Sequence, residues 1–464
     1  MLLQNKFVKK FVFGYYIFLV IAVICIGYRI FLEMIFIGDQ AWFYLSARDM
    51  LLGKDFPLVG ITSSHTWLHQ GALWTYLLSI ALWIGRFNPI SGVYLSFVIN
   101  VLTILLIYLL GKRMFSKKTA LIAASLYAFS PLVLDLAKMP YHTTPIPLLT
   151  LIYFYFLTKW LNGNKKYLSF SVMMLAVLYN FELASVILAA PLLLVGFYGL
   201  AKKKEYITKL RTNDLTKTLL FGVVPMIPVI LYDFTHGFSQ TLVYAVWLLY
   251  RPFSSVFLYH SSQGSFSEVI SFLLRNSGNL IFLPNALLGV IIIVASSIWV
   301  TYYALMKKHG NAADSLLILW IVIAICSIIA NKTPSDAYLP MLFIALFFII
   351  GRAVDYLPDI VSKLAIAALV VTTFLNLGLY IKHNNFGPSR DLSLKDIENA
   401  VLDIHNKAKG RPFKLVGKGP GSQFRSFTMP YEYLAWYHGY RVDQNAKLIF
   451  VIEEKGNQVL VTKK

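Results

Sequence analysis

Asp39 stands in FIGDQAWFYLSARDML, immediately beyond a long apolar run. A charge costs about 2.5–3.5 kcal/mol at mid-bilayer on insertion scales and far less at the interface. The position therefore marks a helix end that meets water, where a carboxylate sits at little cost. A merely solvated helix end is its plain reading. Helix formers continue to Met50, and Gly53 and Lys54 end the run, which predicts an amphipathic helix parallel to the membrane. A polar, aromatic stretch with His65, Trp67, His69 and Gln70 follows. His65 and His69, four residues apart, share a face and could ligate a metal only if that stretch is helical. Ser63, Ser64 and Thr66 favour a loop.

A third patch, LDLAKMPYHTTPIPLL, gathers Asp135, Lys138 and His142 where two apolar segments meet water. Pro140, Pro145 and Pro147 break any regular helix there, and irregular backbone at that depth lines a cavity. A cation here can hold a phosphate. Lys138 snorkelling to lipid headgroups accounts for the same residue equally well. Arg29 and Glu33, four apart in the first apolar run, pair with each other on one helix face.

The elements that must position these residues are membrane helices. Hydrophobic residues make up 58% of 464 positions and charged residues 14%, against about 25% charged in an ordinary soluble domain. The apolar residues come in blocks close to the ~20 residues that cross a bilayer as a helix. The net charge of +20 does not signal nucleic acid, because the basic residues cluster between apolar blocks in the positive-inside pattern. The clusters at Lys112–Lys118, Lys165–Lys166, Lys202–Arg211 and Lys307–Lys308 are placed in the cytoplasm. Lys6, Lys9 and Lys10 precede a run from Phe11 to about Ile37 that is too long for a signal-peptide core.

Further spans fit near 90–111, 119–135, 145–162, 167–181, 183–200, 218–233, 284–305, 314–331, 338–355 and 361–381. Residues 71–86 are apolar enough to cross, but crossing would put Lys112–Lys118 outside, so they are read as re-entrant or lying on the outer surface. About eleven spans result, with the N-terminus cytoplasmic and the C-terminus outside. Outer segments cover 38–70 and roughly 234–283, the second including TLVYAVWLLYRPF with Trp247 and Tyr250 at headgroup level. Cys25 and Cys326 lie inside apolar runs and are expected as buried thiols without a disulfide.

After Lys382 the composition turns soluble. DLSLKDIENAVLDIHNKAKG predicts a helix with a capping box at Ser393 and Asp396 and a stop at Gly410. FKLVGKG and LIFVIEEKGNQVLVTK predict strands, the second a hairpin around Lys455-Gly456-Asn457, and GKGPGS is a plain turn. The fold class is thus an all-α polytopic membrane domain over 1–382, followed by a small extracytoplasmic α/β domain over 383–464.

Several stretches resemble the GT-C superfamily of membrane glycosyltransferases, in particular the bacterial branch related to protein O-mannosyltransferases and lipid A aminoarabinose transferases. They are GDQAWFYLSARDMLLGKDFPLVG, HQGALWTYLLSIAL, SPLVLDLAKMPYHTTPIPLL, ILYDFTHGFSQT and, near residue 339, LPMLF. The resemblance covers most of 1–382. It implies sugar transfer from a polyprenyl-phosphate donor to a lipid, glycan or protein acceptor, with inversion, on the outer face of a bacterial plasma membrane. Asp39 is then the general base. Lys138, His142, Arg251 and Lys332 are the outer cations for the donor phosphate, and His65, His69 and Gln70 are further substrate-binding residues. The chain departs from its relatives in Gln40 after Asp39, in Ala72 where they have Pro, and in Lys138, Tyr141 and His142 of the second turn. The resemblance calls for no organic cofactor and leaves a divalent metal open. A transporter or flippase is the competing reading, but it predicts ionisable residues at mid-membrane and two similar halves; neither is present outside Asn180-Phe181-Glu182 between two short spans, which is read as a tight outer turn. A structural anchor for the C-terminal domain would leave the clustered outer His and Asp residues unexplained.

Overall fold

The computed structural model describes residues 34–63, 65–257, 264–306, 311–383, 392–456 and 458–464. Residues 11–33 of the predicted first span, with Cys25, Arg29 and Glu33, fall outside them, as do the Lys307–Lys308 cluster, Ser64 and Asn457 of the predicted hairpin turn, while Met34–Ile37 at the end of that span are not helical.

The chain is a multi-pass membrane protein. Six of the described helices are long and apolar enough to cross a bilayer: Ser91–Met114, Leu183–Ala201, Thr212–Thr235, Ala286–Leu305, Ala312–Asn331 and Asp359–Tyr380. The expected span 119–135 is two helices, Lys117–Phe129 and Pro131–Ala137, bent by 57°. Pro131 opens the second helix, and Ser130, extended between them, donates its hydroxyl to the Leu280 carbonyl at 2.7 Å. Ile146–Leu161 and Tyr167–Phe181 are shorter apolar helices. Leu73–Ile84, within the doubtful 71–86 segment, has 12 residues and so rises only about 18 Å, short of the ~30 Å hydrocarbon core.

Pro340–Asp355 occupies the middle of the bundle, with every residue from Pro340 to Val354 buried. A helix apolar on all sides belongs in a core. It packs closely through small residues: a Cβ on Gly351 would stand 2.7 Å from the Thr119 carbonyl oxygen. Cys326 is free but exposed rather than buried, because it shares a helix face with exposed Val322, four residues earlier.

In the C-terminal segment, Leu394–Ala408 starts at the reciprocal Ser393/Asp396 cap and ends with Lys409 in the left-handed region. Strands β3 (Lys414–Lys418), β4 (Ile449–Lys455) and β5 (Gln458–Lys463) form one sheet in that order, β3 parallel and β5 antiparallel to β4. A short helix, Met429–Tyr437, packs on Gly38–Leu51. Tyr44 and Tyr433 meet edge to face at 5.2 Å, and Tyr44 donates to the Pro89 carbonyl and Tyr433 to that of Phe87, each at 2.7 Å. One continuous core therefore runs from the helical bundle into the C-terminal segment.

Candidate active site

Gly38–Leu51 follows an extended Ile37. The Gln40 side chain accepts the Ile37 amide at 3.2 Å and is fully buried. That cap turns Gln40 inward and leaves Asp39 in the first turn, where the helix dipole favours a carboxylate. The Tyr141 phenol donates to Asp39 Oδ2 at 3.5 Å, a long contact. Burial, with Asp39 and Glu182 adding to it, raises the Tyr141 hydroxyl far above its usual range, so Tyr141 is a neutral donor at physiological pH.

Asp39 lines a cavity of about 460 Å³ together with His65, Gln70, His142, Glu182 and Arg251. Strands β1 (Val59–Thr62) and β2 (His69–Gly71) pair antiparallel and carry His65 between them. Gln70 accepts the Leu183 amide at 3.1 Å, tying β2 to the turn after Tyr167–Phe181. Behind these strands, buried Asp233 accepts from the Gln240 amide at 2.8 Å and from the Thr241 hydroxyl. Gln240 in turn accepts the His69 amide and donates to the Trp67 carbonyl, both at 2.7 Å. The turn between them passes through Gly237 and Phe238, both at positive φ.

Against the loop between β1 and β2, with the Trp247 ring 5.2 Å from that of His65, Tyr244–Phe257 splits its faces as an interfacial helix does. Tyr244, Trp247, Leu248 and Arg251 point into the cavity, while Val246, Leu249 and Tyr250 are exposed. The Arg251 guanidinium lies 4.6 Å over the Trp247 ring and donates from Nε to Asn331 at 2.7 Å. It is thus aimed before any ligand arrives.

His142 is 3% exposed, and neither ring nitrogen has a hydrogen bond, although Nε2 lies 3.5 Å from Glu182 Oε2. A buried imidazole without a hydrogen bond is costly, and a ligand hydroxyl or phosphate oxygen would complete it.

The structure thus brings Asp39, His65, Gln70, His142 and Arg251 to one cavity and places the other three candidates outside it. Lys138 is buried with Nζ 3.7 Å from Asp135 and 5.1 Å from the Tyr380 ring centre. His69 turns its ring to Tyr232, centroids 5.5 Å apart. Lys332 ends Ala312–Asn331 in a left-handed conformation, and its carbonyl accepts the Gly264 amide. The 65–71 stretch is a turn and a strand, so His65 and His69 share no helical face. Among the described residues, no three His, Cys, Asp or Glu side chains gather closely enough to hold a metal ion.

Glu182 and Gln240 lie outside the candidates drawn from the sequence. Glu182 had a signal, a carboxylate between two apolar segments, but it also fits an ordinary turn.

Residues 69–232 match the family described as dolichyl-phosphate-mannose-protein mannosyltransferase. Among solved structures, the fold is similar to that of ArnT from Cupriavidus metallidurans bound to undecaprenyl phosphate. The TM-score is 0.63 at 9% identity, covering 97% of this chain and 98% of that one. It is also similar to the oligosaccharyltransferase of Archaeoglobus fulgidus in a complex with Zn and sulfate. There the TM-score is 0.57 at 13% identity, over 94% of this chain and 67% of that one. The archaeal oligosaccharyltransferase AglB, also from Archaeoglobus fulgidus, in complex with an inhibitory peptide and a dolichol-phosphate gives 0.53 at 13% identity, over 95% and 69%. A search of curated proteins finds no match. The GT-C likeness drawn from the motifs is thus present in the fold.

Proposed function

We propose that this chain is a membrane glycosyltransferase that moves a sugar from a polyprenyl-phosphate donor to an acceptor hydroxyl on the outer face of the membrane, with inversion. The observation that carries the reading is that a carboxylate, Asp39, and a preoriented guanidinium, Arg251, line the same cavity beside an interfacial helix. The family match and the fold likeness to ArnT support the same class.

The reaction needs three things from the chain. Asp39 takes the proton of the acceptor hydroxyl as its oxygen attacks the anomeric carbon. The bond from that carbon to the phosphate oxygen breaks on the opposite side, and polyprenyl phosphate leaves with the electron pair. Arg251 donates to the leaving phosphate, where a planar guanidinium offers paired hydrogen bonds. Tyr141 orients Asp39, and His142 with Gln70 stands where sugar hydroxyls would lie. The donor's lipid tail passes into the bilayer beside Tyr244–Phe257.

In this reading residues 1–382 are the catalytic unit and 383–464 an outer-face unit, with the N-terminus cytoplasmic and about eleven spans. The test is to supply purified protein in lipid with a panel of radiolabelled polyprenyl-phosphate sugars and determine the anomer of the product by NMR. Transfer with inversion and release of polyprenyl phosphate is the expected outcome. Retention, or no transfer from any donor, overturns the proposal.

A further inference from the structure

Gly38–Leu51 presents a second face to a larger hollow. This groove, about 840 Å³, runs between that helix and the C-terminal segment. Trp42, Leu45, Ser46 and Asp49 line it from the helix, an i, i+3, i+4, i+7 set. Trp436 and Tyr440 line it from the other side.

The rings are held in place. Tyr440 stacks on His405 with centroids 3.7 Å apart and planes 8° from parallel. Trp436 sits edge-on to Phe87 at 5.2 Å, with the Arg48 guanidinium 4.9 Å from its ring centre. The lining charges cancel. Four cations (Arg48, Lys54, Arg425, Arg441) face four carboxylates (Asp49, Asp55, Glu432, Asp443). Three pairs are closed: Arg48 and Lys54 to Asp49 at 2.7 and 3.8 Å, and Arg425 to Glu432 at 2.6 and 2.7 Å.

That lining selects by exclusion and by fit. A polyanion needs an excess of cations, and a lipid tail needs an apolar wall. A neutral chain of hydroxyls suits both components: its C–H faces lie on aromatic rings, and its hydroxyls bond to carboxylates and amides at the rim. One wall of the groove belongs to the same helix as Asp39. Trp42 is three residues along the same helix, about 4.5 Å in rise and ~60° round the axis. Gly38, next to Asp39, packs so closely on the Ser426 backbone that a Cβ there would collide with the Ser426 carbonyl.

We propose that this groove binds a neutral, hydroxyl-rich saccharide portion of the acceptor and leads its reacting hydroxyl towards Asp39. The inference rests on the reading of Asp39 as the base, but its test does not depend on transfer. Full-length protein in nanodiscs is presented to an array of neutral gluco-, galacto- and manno-oligosaccharides, with sulfated oligosaccharides and peptides alongside. Binding to the best neutral saccharide is then titrated by saturation-transfer NMR.

The expected result is neutral saccharide binding that Trp42→Ala weakens tenfold or more and Gln444→Ala weakens severalfold. Gln444 is an exposed lining residue whose change cannot unfold the chain. Asp39→Asn keeps full binding. No neutral saccharide bound at millimolar concentration, a preference for the sulfated set or for peptides, or unchanged titrations in both groove variants would overturn the proposal. If the groove variants lose binding while Asp39→Asn still transfers sugar, the groove stands and the assignment of Asp39 falls.

Discussion

Arg352, near one end of the central Pro340–Asp355 helix, donates to both oxygens of Asp314 at 2.7 and 3.0 Å and to Asp355 at 2.9 Å. Tyr356 closes the set, accepting from Arg352 at 2.6 Å and donating to Asp314 at 2.7 Å. Near the other end of that helix, at the cavity, Asp39 is half-buried and His142 buried, and both are loosely met. Asp39 has a 3.5 Å contact to Tyr141, and His142 has no hydrogen bond at all. A buried network with every partner supplied is rigid, whereas one with unmet groups is arranged for something absent. The first is scaffolding and the second is where a ligand gains most.

Breaking the satisfied network should give the largest change in stability and the smallest in chemistry. Asp314→Ala strands the Arg352 charge. A loss of about 3–5 kcal/mol is expected on breaking a buried pair this way, measured by denaturation in detergent, with unchanged transfer per folded molecule. Arg251→Ala should do the reverse. It removes a charged hydrogen-bond donor worth about 1.5–3 kcal/mol, so kcat/KM for the donor should fall about 10- to 150-fold with little change in melting temperature. Equal damage to stability and kcat/KM would erase the contrast between the two sites.

Gln240→Ala removes the clamp on the 67–69 loop without touching the cavity. A smaller loss is expected, severalfold in kcat/KM, with faster amide exchange at His69. The smallest effect concerns pH. Burial and the nearby Arg251 lower the His65 pKa from 6.5, and burial lowers that of His69. Below pH 6.5 the unfolded chain takes up protons that the fold refuses, so stability falls as pH drops through that value. His65→Gln should flatten the acid limb of Tm against pH, and an unaltered limb would show that His65 is not held neutral.

The contrast between the two ends was only half visible in the sequence. Apolar runs and charge clusters located the helices to within a few residues, as at 167–181, because hydropathy acts locally. Asp39 stood out because it directly follows a predicted span. Glu182 did not, since one carboxylate at a turn looks like any helix end until folding sets it beside His142, forty residues earlier. Lys138 looked like a phosphate ligand by type and neighbourhood, and packing sends it instead to Asp135 and Tyr380. Trp42 and Trp436 meet across one groove from almost opposite ends of the chain, a convergence with no local pattern to announce it.

The measurement that bears most directly on the account compares Asp39→Asn with Glu182→Gln, at saturating donor, with melting temperature as the control. The account predicts that Asp39→Asn lowers kcat by about 10²-fold or more, the scale of a lost general base, while remaining folded, and that Glu182→Gln keeps most of its turnover. Full turnover in Asp39→Asn, with the loss falling on Glu182→Gln instead, would contradict it and move the base to the other carboxylate of the cavity.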